Sequence, residues 1–522
     1  MHSVPINGSS SGGLDAVALF EDNFEASVQQ LIAEIVELYL SDAIPWVVGY
    51  SGGKDSTATL QLVWMALERL GPEQRTKPVH VISTDTLVEN PIVAAWVGRS
   101  LGRMNEAAKS AGLPISSHRL TPAVRDTFWV NLIGRGYPAP RPKFRWCTER
   151  LKILPSHRFI KGMVDQYGET ILVLGTRKAE SAARAAVMER YEAGRVRGRL
   201  SPNGSLPNSF IYSPIENWSN DEVWLFLVEH ENPWGHPNHD LLSMYRGASA
   251  DGECPLVVDT GTPSCGDSRF GCWVCTLVEK DRSMQAMIRN DAEKEWMQPL
   301  LALRNELDYR LRGEDGDRPL RDFRRSTGHV QLFHDRPIPG PYRQETRHRW
   351  LKRVLEVERH IRERGPEEVR DIELITMREL KEIRRIWVAD KHEIEDALPG
   401  IYEAASGRVW PRDETDGRAR LLGDREVTTL QDICGEDRLH FELTRELLSV
   451  EQRFSANASR RGIFKEIEKA FLRNAYHSAE EAVDIARWRQ EAMERSRDVS
   501  VRHPTAPPPS KYFELRDEGD FG

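Results

Sequence analysis

The sequence predicts an α/β protein: a parallel sheet with helices on both faces, then a cysteine-rich segment and a largely helical C-terminal region. Three observations predict it. Short apolar runs at 46–50 (WVVGY), 79–83 (VHVIS) and 171–174 (ILVL) are each followed by helical apolar spacing, and strands that alternate with helices build a parallel sheet. Five of the six cysteines fall between Cys147 and Cys275. From residue 283 onward the chain is densely charged with helical periodicity.

The elements follow in order. Residues 1–23 begin Gly/Ser-rich and are expected to be a flexible N-terminus. Phe24, Val28, Leu31, Ile32, Ile35 and Leu38 form a helical stripe over 24–40. After the strand at 46–50, Ser51-Gly52-Gly53-Lys54-Asp55-Ser56 is a Gly-rich turn, and Leu60, Val63, Trp64 and Leu67 mark the next helix. The stretch 190–210, rich in Arg, Gly, Ser and Pro, predicts a long loop, and a helix follows at 219–230. The expected division is an α/β domain at 24–245, a cysteine-rich segment at 246–290, a helical region at 291–501 and an extended tail at 502–522.

Bulk properties exclude several classes. A chain of 522 residues holds about two to four domains. Charged residues are 29% and hydrophobic ones 39%, with a mean hydropathy of -0.53, as in a soluble globular protein. No apolar run approaches the ~18 residues of a membrane helix, and the first residues lack the basic and apolar parts of a secretory signal. A cytoplasmic protein with no membrane attachment is expected. The formal charge of -8 is not that of a typical nucleic-acid binder, although binding follows local charge.

The Gly-rich turn is where chemistry is first expected. Glycines between a strand and a helix let backbone N–H groups approach phosphate oxygens at a helix N-terminus. Ser51 and Ser56 add hydroxyls and Lys54 a charge. Gly49 to Lys54 is one residue short of the Walker A spacing, and Asp55 stands at its Ser/Thr position. SGGKDS resembles the PP-loop of the ATP pyrophosphatases, which cleave ATP between the α and β phosphates. The resemblance implies an adenine nucleotide α-hydrolase-like fold. Ser51, Gly52, Gly53, Asp55 and Ser56 would hold pyrophosphate, with Lys54 at the phosphates and Mg²⁺ neutralising them.

Further segments are similar to the sulfonucleotide (PAPS/APS) reductase branch. STDTLVEN (83–90) follows the second strand, with Leu87 where that branch has Gly, and would bring Asp85 near adenosine or metal. GTRKAESAAR (175–184) resembles a G-x-R-x-x-E/S-x-x-R element and would bring Gly175, Arg177, Lys178 and Arg184 to the phosphates. On this resemblance Lys54, Asp55 and Arg177 are the expected catalytic residues. YSPIENWSNDEVWLFL (212–227) matches an element read as structural, with Pro214, Trp218 and Trp224 packing the sheet end.

Clustered thiols in such a chain suit zinc or an iron–sulfur cluster, both bound as thiolates, or a set of buried structural cysteines. Cys272 and Cys275 form C-x-x-C, Cys265 and Cys254 precede it, and Cys147 lies in RWCTERLKI (145–153) beside Arg145, Arg150 and Lys152. The reductase resemblance favours a 4Fe-4S cluster over zinc. Its implied ligands are Cys147, Cys272, Cys275 and Cys265, with Cys254 in reserve for the fourth position and Cys434 a bystander.

Residues 253–284, with the Arg-rich loop and overall length, resemble the DndC family, the PP-loop component of DNA phosphorothioate modification, with SspD-like proteins as a sister group. The likeness covers most of 30–350. It implies ATP-driven replacement of a DNA phosphate oxygen by sulfur, a cysteine desulfurase as sulfur donor and other proteins of a phosphorothioation complex as partners. Residues 119–152 hold eight Arg/Lys against two Asp/Glu, and 177–199 hold seven against three. Phe128, Trp129, Phe144 and Trp146 interleave with the first stretch, a composition that suits DNA phosphates and base stacking. Rival readings are a PAPS/APS reductase, whose C-terminal nucleophilic Cys has no counterpart in KYFELRDEGDFG, a tRNA thiolase, and an ATP-binding scaffold.

Overall fold

The computed structural model describes residues 12–192, 194–196, 198–249, 270–334, 336–411, 424–455, 460–474 and 476–497. The chain forms two compact units, Met1–Pro122 with Arg145–Leu301, and Ala123–Phe144 with Ala302–Gly522.

The first unit is built on a six-stranded sheet. Its elements are α1 (Gly12–Leu40), β1 (Trp46–Gly49), α2 (Lys54–Glu68), β2 (Val79–Thr84), α3 (Pro91–Ser110), β3 (Ile115–Leu120), α4 (Leu154–Tyr167), β4 (Thr170–Val173), α5 (Ala182–Glu192), β5 (Ser201–Pro202), β6 (Ser209–Tyr212), α6 (Asn220–Glu229), α7 (Asn238–Gly247) and α8 (Arg282–Asn290). The strand order is β3-β2-β1-β4-β6-β5. Every pairing is parallel except β5 with β6. Trp46 pairs with Val79 on one side and Ile171 on the other, so the order reverses at β1 and β4. In open α/β sheets that reversal opens a crevice at the strands' carboxyl ends, where ligands bind.

The α/β class therefore stands, and the three expected strands are β1, β2 and β4. The helix α1 begins at Gly12, ahead of its apolar stripe. Phe24, Val28, Ile32, Ile35 and Leu38 from that stripe are buried, as are Leu60, Val63, Trp64 and Leu67 of α2. Two features differ from expectation. β3 (ISSHRL) has no apolar run because it is an edge strand with most residues half-buried. The stretch 190–210 is not one loop: it carries a Val196–Leu200 bridge, β5 and the start of β6. Asn203 and the Ser209 carbonyl close the turn between those two strands.

The second unit is mostly helical. It includes Gln344–Arg364, Met377–Arg385, Leu398–Ser406, Arg438–Ser455, Ile463–Asn474 and Ala479–Arg497, with a small hairpin of Leu332–Phe333 and Arg336–Pro337. Residues 123–144 belong to this unit although they lie between strands of the other. FWVNLIG (128–134) is apolar, and Phe128, Trp129, Val130, Leu132 and Ile133 are all buried. The Trp129 indole donates to the Leu374 carbonyl at 2.7 Å, and the Trp387 indole to the Ile133 carbonyl at 3.0 Å. Among the described residues no helix is long and apolar enough to cross a membrane.

Candidate nucleotide and thiol site

The Gly-rich turn sits at the carboxyl end of β1. Gly52 has φ +74°, the left-handed region that glycine adopts without strain. A Cβ there would also lie 2.5 Å from Val97 Cγ2. Helix α2 starts at Lys54, so Lys54, Asp55 and Ser56 form its first turn. Its N-cap is Gly53, which supplies no capping side chain, and the first N–H groups of a helix are an anion site. The turn is tied internally. Ser56 Oγ donates to the Gly53 carbonyl at 3.0 Å and accepts from the Ser51 N–H at 3.2 Å, and the Ser51 and Ser56 hydroxyls are 3.1 Å apart.

The loop after β4 closes the other side. Gly175 packs so tightly on α2 that a Cβ would lie 2.5 Å from the Asp55 carbonyl oxygen. This brings Arg177 beside Asp55. Its Nε donates to Asp55 Oδ1 at 2.6 Å and its Nη1 to the Trp218 carbonyl at 3.1 Å, and the side chain is buried. Arg177 is thus a clamp on Asp55 as well as a wall of the cleft. Lys54 Nζ lies 3.4 Å from Asp55 Oδ2 and 5.6 Å from the centre of the Tyr245 ring.

These residues line one cavity of 890 Å³, together with Asp85, Glu89, Arg119, Lys152, Arg184, Tyr245 and Phe270. Asp85 is engaged: Oδ1 accepts from the Leu87 N–H at 2.8 Å and Oδ2 from Arg119 Nε at 2.8 Å. Leu87, where the reductase branch has Gly, has φ +64°. The backbone keeps the turn that glycine serves, at a steric cost to leucine.

The thiols stand behind this wall. Glu89 and Cys272 form an antiparallel bridge, and the Trp273 N–H donates to the Val88 carbonyl at 3.0 Å. Thr86 Oγ1 lies 3.2 Å from Cys272 Sγ, and Lys152 Nζ is 3.6 Å from Glu89 Oε1. Burial, then the Glu89 carboxylate, pushes the Cys272 thiol up to about 12. Burial and then Cys275 raise Cys147, which places Cys147 in the field of the C-x-x-C. Three cysteines from two segments are donors of a kind that suits a thiolate-bound metal centre. Cys265 and Cys254 lie outside the described residues. Cys434 belongs to the second unit and is buried at the end of the helix Asp424–Cys434.

Residues 45–277 match the phosphoadenosine phosphosulfate reductase domain family. An uncharacterized protein of Methanocaldococcus jannaschii is 28% identical over 259 residues, which are 49% of this chain and 41% of that protein. The chain thus spans about two fifths of the length of the curated relative it matches. Among solved structures, the FMN adenylyltransferase of Candida glabrata with FAD and inorganic pyrophosphate is 14% identical, covering 45% of this chain and 65% of that one, at a TM-score of 0.25. The U34-tRNA thiolase NcsA of Methanococcus maripaludis, solved with its 4Fe-4S cluster, is 14% identical over 56% of this chain and 81% of that one, at a TM-score of 0.27.

The likeness to the phosphoadenosine phosphosulfate reductase domain is confined to residues 45–277, less than half of the chain.

Within this region Ser51, Gly52, Gly53, Lys54, Asp55, Ser56, Asp85, Gly175 and Arg177 all come together at the switch point of the sheet. The expected basic surfaces fare differently. Phe128, Trp129 and Trp146 are buried, so they offer no face to a base, and Phe144 alone of the four is exposed. Arg177, Lys178, Arg184, Arg195 and Arg199 are ion-paired with Asp55, Glu192, Glu180, Glu216 and Glu34 respectively. Most of the charge in 177–199 is therefore spent inside the domain. Trp218 and Trp224 pack as expected: Trp218 lies 5.4 Å from both Phe24 and Phe226, and Trp224 lies 5.1 Å from Tyr245.

Sequence reasoning missed Tyr245, whose hydroxyl accepts from the Lys54 N–H at 3.4 Å, and Trp96, whose indole donates to the Gly52 carbonyl at 3.2 Å. Neither lies in a motif that names it.

Proposed function

We propose that the protein uses the PP-loop to cleave ATP to AMP and pyrophosphate, and so activates a DNA backbone phosphate for replacement of a non-bridging oxygen by sulfur. The observation that carries this reading is a cavity whose wall runs from the PP-loop to Lys152 and Glu89, with Glu89 paired to both Lys152 and the backbone of Cys272. Nucleotide activation and sulfur chemistry then share one cleft. The residue resemblance to DndC-like proteins supplies the DNA substrate.

The reaction balances in two displacements. A non-bridging phosphate oxygen attacks the α-phosphorus of ATP, a P–O bond forms, and the bond to pyrophosphate breaks. Sulfide then attacks the activated DNA phosphorus, a P–S bond forms, AMP leaves, and the sulfide proton passes to solvent. The N-terminus of α2, Ser51 and Ser56 hold the leaving pyrophosphate, and Lys54 offsets its growing charge. Asp55 is held in place by Arg177 and is the carboxylate nearest the loop for Mg²⁺, whose charge would neutralise the triphosphate. Cys147, Cys272 and Cys275, with a fourth donor, would hold a 4Fe-4S cluster, which supplies thiolate-ligated iron as a sulfur-handling or structural centre. A cysteine desulfurase and other complex proteins are the expected partners.

The test is pyrophosphate release with Mg²⁺, a sulfide source and partner proteins, comparing duplex DNA with tRNA, followed by mass spectrometry of nuclease-digested DNA. Stimulation by DNA, and phosphorothioate dinucleotides that vanish in Asp55→Ala, are the expected results. Stimulation by tRNA alone would replace this reading with a tRNA thiolase. No release under any condition would leave an ATP-binding scaffold.

A further inference from the structure

Helix α3 and the segment before α7 grip the PP-loop from behind. The Trp96 indole N–H donates to the Gly52 carbonyl at 3.2 Å, and Val97 fills the space where a Gly52 side chain would be. One turn later on α3, Ser100 Oγ lies 2.8 Å from the hydroxyl of Tyr50, the residue before the loop. Both contacts are backed by one short segment. The Trp234 indole donates to Ser100 Oγ at 3.0 Å, and the His236 ring lies 3.6 Å from the Trp96 ring. Trp96, Ser100, Trp234 and His236 are all buried. The His236 N–H and the Trp234 N–H both donate to Asn232 Oδ1, at 3.3 and 3.1 Å, which fixes that segment.

The consequence follows from peptide geometry. In a trans peptide the C=O of one residue and the N–H of the next point in opposite directions. Among the described residues no peptide bond is cis. A Gly52 carbonyl held toward α3 therefore turns the Gly53 N–H the other way, and both glycines line the nucleotide cavity. Gly52, at φ +74°, has the backbone freedom to let this peptide flip. A flipped peptide would present a carbonyl oxygen to the phosphates in place of an N–H.

We propose that Trp96 is a positioning residue of the PP-loop: its indole N–H selects the Gly52–Gly53 peptide orientation that offers an N–H to the phosphate, and His236 seats the indole. The proposal rests on the PP-loop reading and deepens it. It assigns the loop's conformation to an aromatic clamp that lies outside the motif.

The experiment is calorimetric binding of inorganic pyrophosphate, and of ATP with Mg²⁺, to the full chain and to Trp96→Phe, which keeps an aromatic ring and loses the donor. A loss of one neutral donor contact to a charged phosphate is expected to weaken pyrophosphate binding about 10-fold. The melting temperature should stay close to that of the parent, and in turnover the KM for ATP should rise more than kcat falls. Trp96→His, which returns an N–H on a smaller ring, should recover part of the affinity, and a merely space-filling role would not produce that recovery. If Trp96→Phe melts early, His236→Gln serves as the second variant: it unseats the indole while leaving Trp96 and the loop sequence intact, so pyrophosphate binding should weaken in the same direction, and binding equal to the parent's overturns the clamp. Equal affinity in parent and Trp96→Phe overturns the clamp. A parent protein that binds neither pyrophosphate nor ATP overturns the PP-loop reading itself.

Discussion

Replacing Arg177 by Met isolates the clamp on Asp55. The guanidinium is buried, donates to Asp55 Oδ1 at 2.6 Å, and donates to the Trp218 carbonyl at 3.1 Å. Breaking a fully buried pair from one side costs about 3–5 kcal/mol. The Asp55 side chain is 24% exposed toward the cavity, so solvent screens part of that, and about 2–3 kcal/mol is expected here. For a unit of this size each kcal/mol moves the melting temperature by roughly 2–4 °C, so Arg177→Met should melt about 5–10 °C lower. Asp55→Asn removes the charge left behind. The double variant should then lose less than the sum of the singles, with a coupling of about 1–3 kcal/mol in a double-mutant cycle. ATP binding should weaken most in Arg177→Met, where an unpaired carboxylate faces the phosphates. Additive effects, or a melting temperature unchanged in Arg177→Met, would refute the clamp.

Other outcomes are expected elsewhere. Gly175→Ala should destabilise by about 2 kcal/mol or more, because its Cβ meets backbone of the α2 first turn and overpacking has no easy relief; thermal melting and pyrophosphate release both read it. Leu87→Gly should leave activity intact and raise stability by up to about 1 kcal/mol, since the residue already holds a left-handed conformation. An anaerobic preparation should show iron–sulfur charge-transfer absorption that is lost in Cys272→Ser, and metal analysis that finds zinc in its place would overturn the cluster assignment. Burial, then Arg103 and Arg99, lowers His236 from 6.5 to about 4. The unfolded chain therefore takes up this proton first: the stability is fully present above pH 6.5 and falls from there toward pH 4, by up to about 1.4 kcal/mol per pH unit. His236→Gln should flatten that slope in melting curves between pH 7 and 4.5.

The sequence by itself determined the local parts. SGGKDS between an apolar strand and a helical stripe specified its own turn and helix start, because those preferences act over a few neighbouring residues. The same holds for β1, β2, β4, and for α1, α2 and α6. Cys272 and Cys275 were legible because a C-x-x-C turn is local, and Cys147 only through its resemblance. β3 was not legible: an edge strand buries one side partially, so ISSHRL carries no apolar run. FWVNLIG read as aromatics available for bases, whereas burial in the helical unit removed them, since an apolar segment goes where a core accepts it. Only the tertiary structure decided that the loops after β1 and β4 face each other, which follows from the reversal of strand order. It alone decided that Arg177 reaches Asp55, that Glu89 joins the cavity wall to Cys272, and that Trp96, packed against His236, donates to Gly52. Those contacts span long stretches of chain, and their partners are chosen by packing and hydrogen-bond satisfaction in a shared interior, which no local pattern encodes.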